Sequence, residues 1–260
     1  MEENKHLLVD IQDGVMKLTL NRPDSLNALS DEMIKGLTET FHHARNNPAV
    51  RVITIQGAGR AFCAGGDIKG MGKNTPSGTH EFLGRVNEAI LAVRNVEKPV
   101  IAVVHGYAAG VGFSLAMACD LIVATEDSKF IMSFAKIGLI VDGGGSYFLP
   151  RLVGAQRAKE LLFTGEPITA ATAYNWGIVN RVYNTSDFSE KAGQFISQFV
   201  DGPGKSYEMT KKLVNQSFTS DLNQMLELER VTQSVMEQTS DFHEGIEAFK
   251  EKRKPNFEGN

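Results

Sequence analysis

The chain lacks the long apolar runs, the cysteines and the net positive charge that mark membrane spans, disulfide scaffolds and nucleic-acid binders. No stretch reaches the roughly 18 uninterrupted apolar residues of a membrane-crossing helix, so no membrane partner is expected. The amino terminus, MEENKHLLVDIQDG, is acidic and carries no apolar signal-type core, which makes a cytoplasmic location the expectation. Cysteine occurs only twice, at Cys63 and Cys119, without metal-ligand spacing or a nearby histidine to complete a zinc set; reduced thiols and no bound metal are expected. A formal net charge of −4 supplies no basic field for nucleic acid, the terminal FKEKRKP being only a local patch.

What is there is enough apolar residue for a substantial core. The 260 residues are 42% hydrophobic, which suits one large domain or a domain with a small appendage. HLLVDIQDGVMKLTLNRP alternates apolar and polar positions about Asp13-Gly14 and predicts a hairpin. Ser30 can cap a helix in DEMIKGLTETFHHARNN, where Met33, Leu37 and Phe41 recur at helical spacing. VRVITIQG reads as a buried strand, KPVIAVVHG as another, GVGFSLAMACD as a helix and LIVATED as a strand, a rhythm that favours an α/β core. From Ser186 the pattern turns helical, in SDFSEKAGQFISQFV, GKSYEMTKKLVNQSF, LNQMLELERVTQSVMEQ and DFHEGIEAFKEKR, with breaks at Gly202-Pro203, Ser220-Asp221 and Ser240-Asp241. MGKNTPSGTHEF, rich in Gly, Ser, Thr and Pro, reads as a mobile insert. The expected division is a core over residues 1–200 and a helical region over 201–260.

Two glycine turns could carry chemistry. In GRAFCAGGDIKGM, Gly65-Gly66 allows a sharp turn with unobstructed amides; in HGYAAGVGFSLAMACD, the turn at Gly110–Gly112 opens a helix whose positive end faces outward. Two such turns facing one pocket would form an oxyanion hole. A dinucleotide fingerprint is poorly met, because Leu115 stands where its third glycine belongs, while a purely structural turn stays open. The third oddity is Asp142 in KIGLIVDGGGSYFLPRLVG, after Ile137, Leu139, Ile140 and Val141. It could cap a helix over GGSYFLPRL, or its apolar flank of Phe113, Phe134, Ile140 and Val141 could raise its pKa for proton transfer. His105, at a strand end, reads as a packed residue, and His80 as a solvated one in the insert.

LNRPDSLNALS, GRAFCAGGDI, KPVIAVVHGYAAGVGFSLAMACDLIVATEDSKF, GGGSYFLPRLVG, ELLFTGEPITAATAYNWGIVNRV and AFKEKRKPNF, in that order, resemble the crotonase (enoyl-CoA hydratase/isomerase) superfamily over essentially the whole chain. The resemblance implies a ClpP/crotonase-like α/β spiral of β-β-α units with a helical carboxy-terminal trimerisation region. It implies an acyl-CoA thioester substrate, a homotrimer or dimer of trimers, and no resident cofactor, since CoA belongs to the substrate. The thioester oxygen would lie between the Gly66 and Val111 amides, with Ala64, Gly65, Asp67, Ile68, Lys69, Ser114 and Phe134 lining the substrate. Lys69 would lie near the CoA nucleotide or pantetheine, as would Phe249 and Lys252, which would reach a neighbouring subunit. Family hydratases keep glutamates where this chain has Ser114 and Phe134, neither of which is a competent base there. Asp142 instead resembles the acid of the phenylacetyl-CoA-pathway type isomerases, and a shift of a 3-enoyl-CoA double bond to the 2 position is the expected reaction. The alternatives are a 2-enoyl-CoA hydratase of fatty acid or aromatic acid degradation and a non-catalytic acyl-CoA or RNA-binding relative.

Overall fold

A computed structural model describes residues 5–67 and 75–259. The chain enters through the hairpin of β1 (Leu7–Gln12) and β2 (Val15–Leu20), with Leu7 opposite Leu20 and Gln12 opposite Val15. Asp13 and Gly14 have φ of 49° and 79°, the paired left-handed conformation that a two-residue turn between twisted strands requires. Ser30 then starts α1 (Asp31–Arg45) by accepting the Met33 amide at 3.2 Å, and Met33, Ile34, Leu37 and Phe41 bury one face of the helix.

The main sheet runs β1-β2-β3-β4-β6-β9, built from the hairpin, β3 (Val52–Gly57), β4 (Val100–Val104), β6 (Leu121–Thr125) and β9 (Arg181–Tyr183). Every pairing after the hairpin is parallel, Ile53 lying opposite Val100 and Ile101 opposite Leu121. Every residue of β4 is buried, which is why VIAVV reads as a continuous apolar run rather than an alternating one. A smaller sheet, β5-β7-β8, comes from β5 (Tyr107–Ala109), β7 (Lys129–Ile131) and β8 (Ile168–Thr169). The remaining helices are α2 (Pro76–Asn95), α3 (Val111–Ala118), α4 (Gly145–Val153), α5 (Ala155–Thr164), α6 (Ala170–Asn175), α7 (Phe188–Val200), α8 (Gly204–Ser217), α9 (Leu222–Met236) and α10 (Ser240–Glu251).

The expected mobile insert is corrected in its second half. Met71 to Asn74 lie outside the described residues, but Thr75 caps α2 by accepting the Gly78 amide at 3.1 Å, and Pro76 occupies the first turn. Thr, Pro, Ser and Gly there are helix-start chemistry, not loop composition. His80 accordingly sits on α2 rather than in a loop. The expected break at Ser240-Asp241 falls one residue earlier, because Thr239 is the cap. Asp241 instead anchors the carboxy-terminal segment. Its buried carboxylate accepts the Glu258 and Gly259 amides at 2.8 and 2.9 Å, folding that segment back.

One ion pair ties α8 to the sheet. The Lys211 ammonium donates to Asp120 at 2.7 Å and to the Lys98 carbonyl at 3.2 Å, while Asp120 also accepts the Val100 amide at 2.8 Å. The two side chains are 9% and 19% exposed. Burial pushes the Asp120 carboxyl up and the ammonium pulls it back. Lys211→Met would strand that carboxylate, so it is expected to cost about 2–3 kcal/mol of stability, read as a lowered urea midpoint. The expected cost is below that of a fully enclosed pair because water still reaches Asp120.

Candidate active site

The first glycine turn is held from below by LNRPDSLNALS. Leu26 and Asn27 both adopt left-handed backbone, φ 50° and 58°, after a 3-10 turn at Pro23–Ser25. Asn27 is fully buried; its amide donates to the Ala58 and Ala61 carbonyls at 2.8 and 2.7 Å, and its oxygen accepts the Arg22 amide at 2.9 Å. Arg22 donates to the Ala28 carbonyl at 2.7 Å and pairs with Asp67 at 2.9 Å. With Leu29 N bonded to Gly65 O at 2.8 Å and Ala64 N to Leu26 O at 2.9 Å, the segment Ala64–Asp67 is braced along its length. Arg22 and Asn27 were not singled out from the sequence, where they stand among other polar residues of the same segment.

Backbone bonds lace this turn to the second. Cys63 N reaches Tyr107 O at 3.0 Å, and Ala109 N reaches Cys63 O at 2.8 Å. At Gly65, φ is +103° and an added Cβ would lie 2.9 Å from the Ala109 carbonyl oxygen and 3.5 Å from the Gly110 Cα, so the two turns are in contact and no side chain fits between them. Gly110, φ +52°, then opens α3, which is buried throughout. Among the described residues neither the Gly66 nor the Val111 amide donates to a backbone acceptor. Both cysteines are poor nucleophiles here: burial pushes the Cys63 thiol up to about 12 and raises that of Cys119 as well.

Asp142 reaches the same place by a third route. Between a 3-10 turn at Ser133–Ile137 and α4, Gly145 N bonds to Asp142 O at 3.1 Å across Gly143 and Gly144, whose φ are +58° and +82°. A Cβ on Gly143 would stand 2.7 Å from Val111 Cγ2 and 3.1 Å from Ser114 Cβ, so the acid's loop lies directly on α3. The buried Ser114 hydroxyl donates to the Asp142 carbonyl at 2.9 Å. Among the described residues Asp142 Oδ1 is buried without a hydrogen-bond partner, and burial pushes the carboxyl up to about 6.

The helix-cap alternative is overturned, since the cap of α4 is Gly144 with no side-chain bond. The expected flank needs one correction: Ile140 is 87% exposed and gives the acid no cover, because the chain turns outward there. Phe113 packs at a tilt against Phe130 in the core with ring centroids 5.1 Å apart, and the Phe134 ring edge lies 3.7 Å from where a Cβ on Gly110 would be. His105 is half-buried and donates from Nε2 to the Gly59 carbonyl at 2.9 Å.

Thus Ala64, Gly65, Gly66 and Asp67 come together with Val111, Ser114, Phe134 and Asp142. Ile68 and Lys69 lie outside the described residues. Phe249 and Lys252 stand at the far end of α10, the former 85% exposed and the latter a left-handed helix cap, and no hydrogen bond among the described residues links either to the turns. Among the described residues no His/Cys/Asp/Glu group is arranged to hold a metal, and no helix is long and apolar enough to cross a membrane.

The enoyl-CoA hydratase/isomerase family model matches residues 10–260. A 1,2-epoxyphenylacetyl-CoA isomerase of Escherichia coli is 36% identical over 258 residues, covering 97% of this chain and 98% of that protein. A trans-2-decenoyl-[acyl-carrier-protein] isomerase of Streptococcus mutans is 31% identical over 98% of both. The crystal structure of an enoyl-CoA hydratase from Polaromonas superposes with a TM-score of 0.93 at 35% identity, over 96% of this chain and 99% of that one.

Proposed function

Because this chain belongs to the enoyl-CoA hydratase/isomerase family and has the crotonase fold, we propose that it is an enoyl-CoA isomerase moving a double bond from the 3 to the 2 position with Asp142 as its proton shuttle. The observation that carries this reading is the Asp142 carboxyl, whose buried Oδ1 has no hydrogen-bond partner among the described residues, whose pKa burial raises to about 6, and whose loop packs on α3 beside Val111. The Asp142 carboxylate takes a proton from C2, breaking that C–H bond. The electron pair delocalises into the thioester, whose oxygen accepts the Gly66 and Val111 amides. C4 then takes the proton back and the new double bond lies between C2 and C3. Each amide is worth about 3 kcal/mol to such a transition state, and a positioned base about 10²–10⁴-fold in rate.

Two further observations support isomerisation over hydration. This chain has Ser114 and Phe134 where the family resemblance puts the hydratase glutamates, and the Escherichia coli relative is named an isomerase. The reaction asks for no resident cofactor, since CoA arrives with the substrate. The apolar surface left open at Ile137, Leu139, Phe163 and Phe249 suits burial against further copies of the chain, the trimer or pair of trimers in which Phe249 and Lys252 would complete a neighbour's CoA site.

The test is turnover of 3-hexenoyl-CoA against hydration of crotonyl-CoA by the purified protein. Isomerisation is expected to dominate, and kcat/KM should fall as pH drops through about 6, where the base becomes protonated. Rapid loss of the crotonyl-CoA enone absorbance with no 3-enoyl turnover would reverse the assignment to hydratase.

A further inference from the structure

Ser114 is the one polar side chain in α3, VGFSLAMA, and it is fully buried. A helical serine ordinarily satisfies itself on a carbonyl one turn back. This one donates instead to the carbonyl of Asp142, 28 residues further along the chain. The fit around it is close: a Cβ on Gly145 would lie 2.9 Å from Ser114 Oγ and one on Gly143 3.1 Å from Ser114 Cβ. The glycines that follow the acid therefore leave room for this hydroxyl to approach the loop.

The carboxylate itself has no such support. Among the described residues no hydrogen bond orients the Asp142 side chain, and burial alone accounts for its raised pKa, with no charged group of any neighbouring element contributing. Its aim must then come from its backbone, and the Asp142 carbonyl has two donors, Gly145 N at 3.1 Å within its own turn and Ser114 Oγ at 2.9 Å from outside it. The first belongs to α4, which follows directly in the chain, and only the second ties the loop to an element distant in sequence. That element is α3, whose first residue supplies the Val111 amide one turn before Ser114.

We infer that Ser114 is a positioning residue: its hydroxyl fixes the Asp142 loop to the helix that carries the Val111 amide, and so sets the separation between the base and the oxyanion donor. The inference rests on the proposed role of Asp142. It gives the serine at a hydratase glutamate position a function of its own, acting through the acid rather than on the substrate. A displacement of a base by a fraction of an ångström to an ångström lowers rates by about tenfold to a hundredfold.

The experiment compares Ser114→Ala, Asp142→Asn and the double variant with the native protein, using 3-hexenoyl-CoA. Ser114→Ala should lower kcat about tenfold to thirtyfold with KM little changed, and should move the acid limb of the pH profile downward as the freed loop lets water reach the carboxylate. In the Asp142→Asn background the same change should cost nothing further, because its route runs through the acid. Unchanged kcat and pH profile in Ser114→Ala, or a full independent loss in the double variant, overturns the inference. If the alanine variant fails to fold, Ser114→Cys, of similar size but a weak donor, should show the same rate and pH effects, and native behaviour in it would likewise overturn the role. Full turnover by Asp142→Asn would sink the isomerase reading itself, a result distinct from failure at Ser114 alone.

Discussion

Asp142→Asn should lower kcat for 3-enoyl-CoA isomerisation by about 10²–10³-fold while leaving KM nearly unchanged, and should abolish exchange of the C2 proton in heavy water. The asparagine keeps the size of the side chain but cannot take a proton. The two glycine turns proposed to hold the thioester depend on Asn27, Arg22 and the Cys63–Tyr107 lacing, none of which the substitution touches. A stability measurement separates this role from a structural one. The carboxyl is pushed from its ordinary 3.8 to about 6, so the fold favours the protonated form. Its contribution to stability is fully present below about pH 4 and is lost as pH rises through 6. At pH 8 the native protein carries a buried charge that the variant lacks, and the variant should be more stable by about 1–2 kcal/mol, a figure already reduced for the partly exposed setting. That advantage should shrink as pH is lowered through 6 and 5. A variant that loses stability at pH 8 while keeping its rate would show that Asp142 is structural.

How much of this was legible in the sequence depends on the range of the interaction concerned. Periodicity gave β1, β2 and α1, whose apolar spacing repeats and whose turns carry their own chemistry, as Asp13-Gly14 and Ser30 do, while β4 and α3, buried throughout, showed as nearly continuous apolar runs. β5, β7, β8 and β9 span two or three residues and exist through their partners, so no local pattern announces them. The start of α2 was hidden because cap residues and loop residues are the same types. The site itself was legible as residue types out of place: glycine pairs at strand ends and an acid after an apolar run. What stayed hidden was that Asp142 Oδ1 has no partner among the described residues and that Ser114 holds the Asp142 carbonyl, since both depend on which segments fold against one another. The exposed position of Ile140 was misjudged for the same reason, sequence neighbours being taken for spatial ones.

The second large effect is expected at Val111→Pro. Val111 is the first residue of α3, where proline's fixed φ is compatible with the helix, and its amide donates to no backbone acceptor among the described residues, so the substitution removes one N–H without breaking a helical bond. Loss of one donor to a developing oxyanion should lower kcat by about 10²–10³-fold. The side chain is a confounding factor, because Val111 Cγ2 lies 2.7 Å from the Cβ position of Gly143 and thereby supports the Asp142 loop. Val111→Ala keeps the amide and loses that packing, so it should cost only a few-fold, about the scale of a modest shift of the base. Proton exchange at C2 gives the mechanistic contrast: the proline variant retains its base but leaves the enolate oxygen with the Gly66 amide alone, so exchange should slow in proportion to isomerisation rather than disappear. If the alanine variant loses as much rate as the proline one, packing against Gly143 explains the effect. If the folded proline variant turns over at the native rate, the thioester oxygen does not lie on Val111.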